Sequence, residues 1–113
     1  MLNRAALILR YNEPFVRWIN TSDPNGKNPN ISLEEANQDK IVYLIDEDEA
    51  ENPEEWIALN HENLFAMELD GWYTDESLWP QNRSLEMFYQ WFTVECHSAV
   101  IDTCAGPIFD DEE

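Results

Sequence analysis

Seven of the ten residues in Asp46-Glu47-Asp48-Glu49-Ala50-Glu51-Asn52-Pro53-Glu54-Glu55 are carboxylates, a density that raises calcium first. An EF-hand loop starting at Asp46 needs acids at positions one and three, glycine at six and glutamate at twelve. Asp46 and Asp48 comply, but position six is Glu51 and position twelve is Ile57, so the pattern fails. Two readings remain. One is a solvated turn whose acids favour the positive end of a following helix. The other is a partner-facing acidic surface, able to mimic phosphates and compete with nucleic acid for a basic protein.

Glu95-Cys96-His97, with Asp102 and Cys104 downstream, raises zinc or a thiol nucleophile. Strand alternation sets Glu95 and His97 on one face and Cys96 on the other, so Cys96 and His97 share a metal only if the strand breaks. A structural zinc site wants four N or S ligands. The chain holds two Cys and two His in total, with no C-x-x-C pair. The expectation is a partly buried cysteine beside a His97 that pairs with Glu95, and no metal or cofactor. If the eight steps from Cys96 to Cys104 are extended, the thiols lie about 26 Å apart, too far for a disulfide. Two free thiols and no export signal fit a reducing cytoplasm. His61, on the stripe Ile57-His61-Leu64-Phe65, reads as a boundary residue with a satisfied hydrogen bond. No serine sits in a nucleophile elbow, and three glycines are too few for a phosphate loop. Carboxylate pairs for acid–base catalysis are compatible with so many acids, so a small enzyme of that kind stands as the alternative to a binding module.

Gly71-Trp72-Tyr73-Thr74-Asp75-Glu76-Ser77-Leu78-Trp79-Pro80 also has two readings. Trp72 and Trp79 can close the core between two helices, with Asp75 capping a turn that begins at Glu76. Alternatively the stretch presents Tyr73, Asp75 and Glu76 to a partner. The residues predicted to contact a partner are therefore Asp46, Glu47, Asp48, Glu49, Tyr73, Asp75 and Glu76.

The elements that must position these groups follow from periodicity. Ala5 to Leu9 and Ile41 to Ile45 are apolar runs of strand length, and 94–101 reads as a third strand. Asn12-Glu13-Pro14 starts a helix whose Phe15, Trp18 and Ile19 share a face. The segment 20–30 is loop, and Ser32-Leu33-Glu34-Glu35 is a capping box over a short helical turn. Asn52-Pro53 starts a helix running to about Leu69, with Ile57, Leu64 and Phe65 inward, Trp56 and Met67 beside them, and Gly71 as C-cap. Ser84 caps another helix, with Leu85, Phe88, Trp91 and Phe92 on its apolar face. The predicted fold class is α+β: one domain over 1–113, with a small sheet of about three strands, helices packed on one face, and the order β-α-β-α-α-β. Residues 110–113 form an acidic tail.

The net charge of -18 is unevenly placed. Residues 1–40 carry five bases against five acids, while 41–113 carry nineteen acids against Arg83 alone. Such a surface repels nucleic acid and anionic membranes and attracts basic proteins. No apolar run reaches the ~18 residues of a membrane helix. Aromatic residues at 12% argue for a packed core despite the charge.

PFVRWINTSDP, VYLIDEDE and LDGWYTDESLWPQNRSLEMFYQWFTVECHSAVID together resemble an uncharacterised family of small acidic bacterial proteins. The most specific part is GWYTDESLWP followed by a helix bearing Phe and Trp. The resemblance covers most of the chain. It implies one bacterial cytoplasmic domain and attaches no activity, cofactor or partner.

Overall fold

The N-terminal apolar run lies in the middle of the sheet. In a computed structural model that describes residues 1–27 and 29–110, strand β1 (Arg4–Tyr11) pairs antiparallel on one side with β2 (Val42–Asp46) and on the other with β3 (Phe92–His97). Registers such as Leu7↔Tyr43 and Leu7↔Cys96 fix which side chains share a face. Ala5, Leu7, Leu9, Tyr11, Tyr43, Ile45, Phe92, Val94 and Cys96 turn to one side, as the period of two requires. On that side pack α1 (Glu13–Thr21), α2 (Leu33–Ala36), α3 (Pro53–Asp70) and α4 (Leu85–Trp91). The fold is α+β with the order β-α-α-β-α-α-β. The short turn over 33–36, expected as a capped turn, is the extra helix α2.

The core is an aromatic cluster. Phe15, Phe65, Phe88 and Phe92 are fully buried. Phe92 lies within about 5 Å of Phe15, Phe65 and Phe88, at ring separations of 5.3, 5.1 and 4.9 Å. Tyr11 stacks flat on Phe15 at 4.0 Å. Tilted and edge-to-face pairs of this kind add to the stabilisation from area alone.

Several expected boundaries hold and several shift. Ser84 accepts the Met87 N–H at 3.1 Å, and the Ser32–Glu35 capping box is complete. Asn12 and Asn52 flank their helices without capping them. Asn12 instead donates to the Gln90 carbonyl and accepts from the Thr93 hydroxyl, tying β1 to β3. Gly71 stays in the right-handed helical region (φ -64°), so it makes no left-handed cap. The third strand runs from Phe92 to His97, starting two residues earlier and ending four residues earlier than 94–101. Phe92 is thus a strand residue, not part of the α4 face. One further bond, Leu2 N–H to the Val100 carbonyl at 2.7 Å, carries the β1–β3 association past the strand. Met67, expected beside the inward stripe, is 54% exposed. Of the predicted acidic tail, only Asp110 falls within the described residues, and it is exposed.

Candidate functional site

The Trp72–Pro80 stretch is a clamp. Its three-residue 3-10 turn, Glu76–Leu78, is capped by Asp75, which accepts the Ser77 N–H at 3.0 Å and the Ser77 hydroxyl at 2.7 Å. These two bonds hold the Asp75 carboxyl below the usual carboxylate range. Three indoles anchor it: Trp18 donates to the Leu78 carbonyl, Trp72 to the Tyr11 hydroxyl and Trp79 to the Tyr73 carbonyl. Arg83, the single base after residue 40, donates to the Pro80 carbonyl and sits 5.8 Å from the Trp79 ring. Tyr73 is half-buried against Trp18, and its hydroxyl donates to the Ile19 carbonyl. The hydroxyl of Tyr73, expected as a partner contact, is engaged within the protein, and its ring stays partly exposed. Asp75 and Glu76 are exposed beside it.

Asp46, Glu47, Asp48 and Glu49 are all exposed where β2 ends. Asp46 pairs with Arg4 at 3.3 Å, with its own side chain 72% exposed. The structure does not bring this cluster together with Asp75 and Glu76. One group precedes α3 and the other follows it. An 18-residue helix spans about 27 Å at 1.5 Å per residue.

Between these ends lies a groove of about 400 Å³. One wall is Val42, Tyr43 and Leu44; the other is Trp56, Asn60, Asn63, Leu64 and Met67. The second set recurs at helical spacing, so it is one stripe of α3. The first set alternates between both faces of β2, so the groove runs along that strand's outer edge, which no other strand among the described residues covers. Val42 is 53% exposed and Leu44 50%. The second strand is apolar throughout its sequence, yet one face of it is open.

Beneath the groove is a cluster that the sequence reading passed over. Glu68 is 1% exposed. It accepts from the Tyr11 hydroxyl at 2.7 Å and from the Tyr43 hydroxyl at 2.6 Å. Lys40 Nζ stands 3.6 Å from the same carboxylate and 3.0 Å from the Tyr11 ring centroid, without a hydrogen bond of its own. Burial pushes the Lys40 ammonium down to about 8, against the opposing pull of Glu68. Burial, reinforced by the adjacent Glu68 charge, pushes the Tyr11 hydroxyl well up; burial and the hydrogen bond to Glu68 do the same for Tyr43. A signal existed: Glu68 continues the inward stripe of Leu64 and Phe65, where a charge needs partners. Neither Glu68 nor Lys40 lines the groove on β2 or a second one beside α2. The cluster therefore serves as an internal strut between α3 and the sheet.

Glu95 and His97 share the open face of the sheet, 3.5 Å apart, and Arg10 stands 3.6 Å from Glu95. Cys96 faces the core and Cys104 is exposed; both are free thiols. His61 Nδ1 lies 3.0 Å from the Ala58 carbonyl. Among the described residues, no three His, Cys, Asp or Glu side chains come together to hold a metal, and no helix is long and apolar enough to cross a membrane. In comparisons with known proteins, no family model, curated protein or solved structure matches this chain.

Proposed function

We propose that this protein is a cytoplasmic, non-enzymatic binding module that engages a basic protein, with Asp46, Glu47, Asp48 and Glu49 as the steering surface. The observation that carries this reading is four consecutive exposed carboxylates, of which, among the described residues, only Asp46 has an ion pair, with Arg4. Two further bases of the first forty residues are engaged away from this cluster: Arg10 pairs with Glu95 and Lys40 with Glu68. A compact patch of one sign raises the rate of encounter with an opposite patch and repels nucleic acid and anionic lipid. Separation of the Asp46–Glu49 cluster from Asp75 and Glu76 favours the first group alone as the docking end. Such a surface also suits competition with nucleic acid for a basic protein.

The test is a lysate pull-down at low and high ionic strength, followed by association kinetics on the recovered partner. Neutralising Asp46, Glu47, Asp48 and Glu49 together, as Asn and Gln, is expected to slow association about tenfold while changing release little. The reading is lost if nothing is retained at low salt, or if the fourfold variant associates as fast as the parent.

A further inference from the structure

The groove on β2 has the form of a strand-addition site. Adding a strand to an edge satisfies the outward N–H and C=O groups of that edge, and alternate side chains of the guest find pockets beside it. β2 supplies a five-residue edge, about 13 Å from first to last Cα. The α3 stripe from Trp56 to Met67 runs about 16 Å along the helix axis, so guest and floor match in length. The floor is apolar at Trp56, Leu64 and Met67, with Asn60 and Asn63 among them, and side-chain amides can both donate to and accept from a peptide backbone.

Charge decides what fills it. The C-terminal end of β2 runs directly into Asp46, Glu47, Asp48 and Glu49. A second copy of this chain would bring its own -18 to the contact, which disfavours edge-to-edge pairing of two β2 strands. An extended segment with Lys or Arg at one end meets complementary charge there. We propose that the groove between the free edge of β2 and α3 binds an extended partner segment as a fourth strand. Its alternate apolar side chains lie against Trp56, Leu64 and Met67, and basic residues at one end lie over Asp46–Glu49. This deepens the basic-partner reading and rests on it.

A phage-displayed library of random twelve-residue peptides, selected on the intact protein, tests the proposal. Selected peptides are then titrated into isotope-labelled protein while backbone amide signals are followed. The expected peptides alternate apolar residues and carry Lys or Arg at one end. They shift and protect amides of 42–46, and they lose about tenfold or more in affinity when alternate guest amides are N-methylated. Leu44→Glu, at a half-exposed position that leaves the core intact, is expected to weaken them to a similar degree. Basic peptides that perturb 46–49 but not 42–45, with affinity indifferent to N-methylation, overturn strand addition and leave the basic-partner reading standing. Peptides without basic residues that bind the β2 edge equally well overturn the charge argument and the basic-partner reading with it. Failure to select any peptide that perturbs 42–49 overturns both.

Discussion

Glu68→Leu should be among the most damaging single changes in the protein. The carboxylate is 1% exposed and holds two tyrosine hydroxyls and the Lys40 ammonium. Removing one member of a buried ion pair leaves the other charge uncompensated, at a cost of about 3–5 kcal/mol. The two hydroxyl bonds are part of that figure, since the effects of one network do not add. Against a total of about 5–15 kcal/mol for a domain of this size, the variant should lose about a fifth or more of its stability. Glu68→Leu combined with Lys40→Met removes the stranded charge and should regain about 2 kcal/mol or more, leaving chiefly the cost of the unpaired tyrosine hydroxyls. Urea titrations at pH 7 of the parent, both single variants and the double give the coupling free energy directly. A coupling below about 0.5 kcal/mol, or a loss for Glu68→Leu below about 1 kcal/mol, would show that the strut does not hold the helix to the sheet as described.

The same cluster sets a pH dependence. Lys40 is depressed to about 8, so between pH 8 and its unfolded value near 10.5 the unfolded chain holds a proton that the folded one has released. Unfolding then takes up a proton, and stability rises with pH by an amount on the order of 2 kcal/mol up to about pH 10. Above pH 10 the raised Tyr11 and Tyr43 reverse the slope, because the unfolded tyrosines ionise first; thermal melts from pH 7 to 11 should show a maximum near pH 10 that Lys40→Met shifts to lower pH. Ser84→Ala should cost about 1 kcal/mol, whereas Asn52→Ala should cost a few tenths, because only Ser84 caps its helix; equal losses in urea would contradict those cap geometries. Trp72→Phe removes the donor to Tyr11 and part of a ring packed on the core, so about 1 kcal/mol or more should be lost, and an unchanged urea midpoint would refute that bond.

Local chemistry made much of the fold legible. The Ser32 and Ser84 caps, Pro14 and Pro53 at helix starts, and the inward stripe of α3 all act within a turn or two of the chain. What stayed hidden depends on pairing across the sequence. Val42 and Leu44 have the composition of buried strand residues, and only the strand order places them at an uncovered edge. Phe92 fits a helix face as well as a strand, and α4 passes into β3 with no intervening loop to mark the change. Glu68 was readable as a charge on an apolar stripe, but its partners come from positions 11, 40 and 43, which the periodicity of α3 cannot reach. Tyr73 allowed both a packed and a presented reading, and its bond to the Ile19 carbonyl is a long-range contact that no local pattern announces.

The central position of β1 has a consequence for how the chain acquires its structure. Ala6 pairs with His97, so the first strand made waits for almost the last part of the described fold. Closing so long a loop delays the sheet's completion and raises contact order, which slows folding. During synthesis, Ala5, Leu7 and Leu9 emerge early and are left with only one neighbour, β2, until Phe92–His97 clears the ribosome. Until then the nascent chain holds β1 and β2 without the strand that completes the sheet, and its incompletely covered apolar surface invites chaperone binding. Chains stopped short of Phe92 should remain in that state.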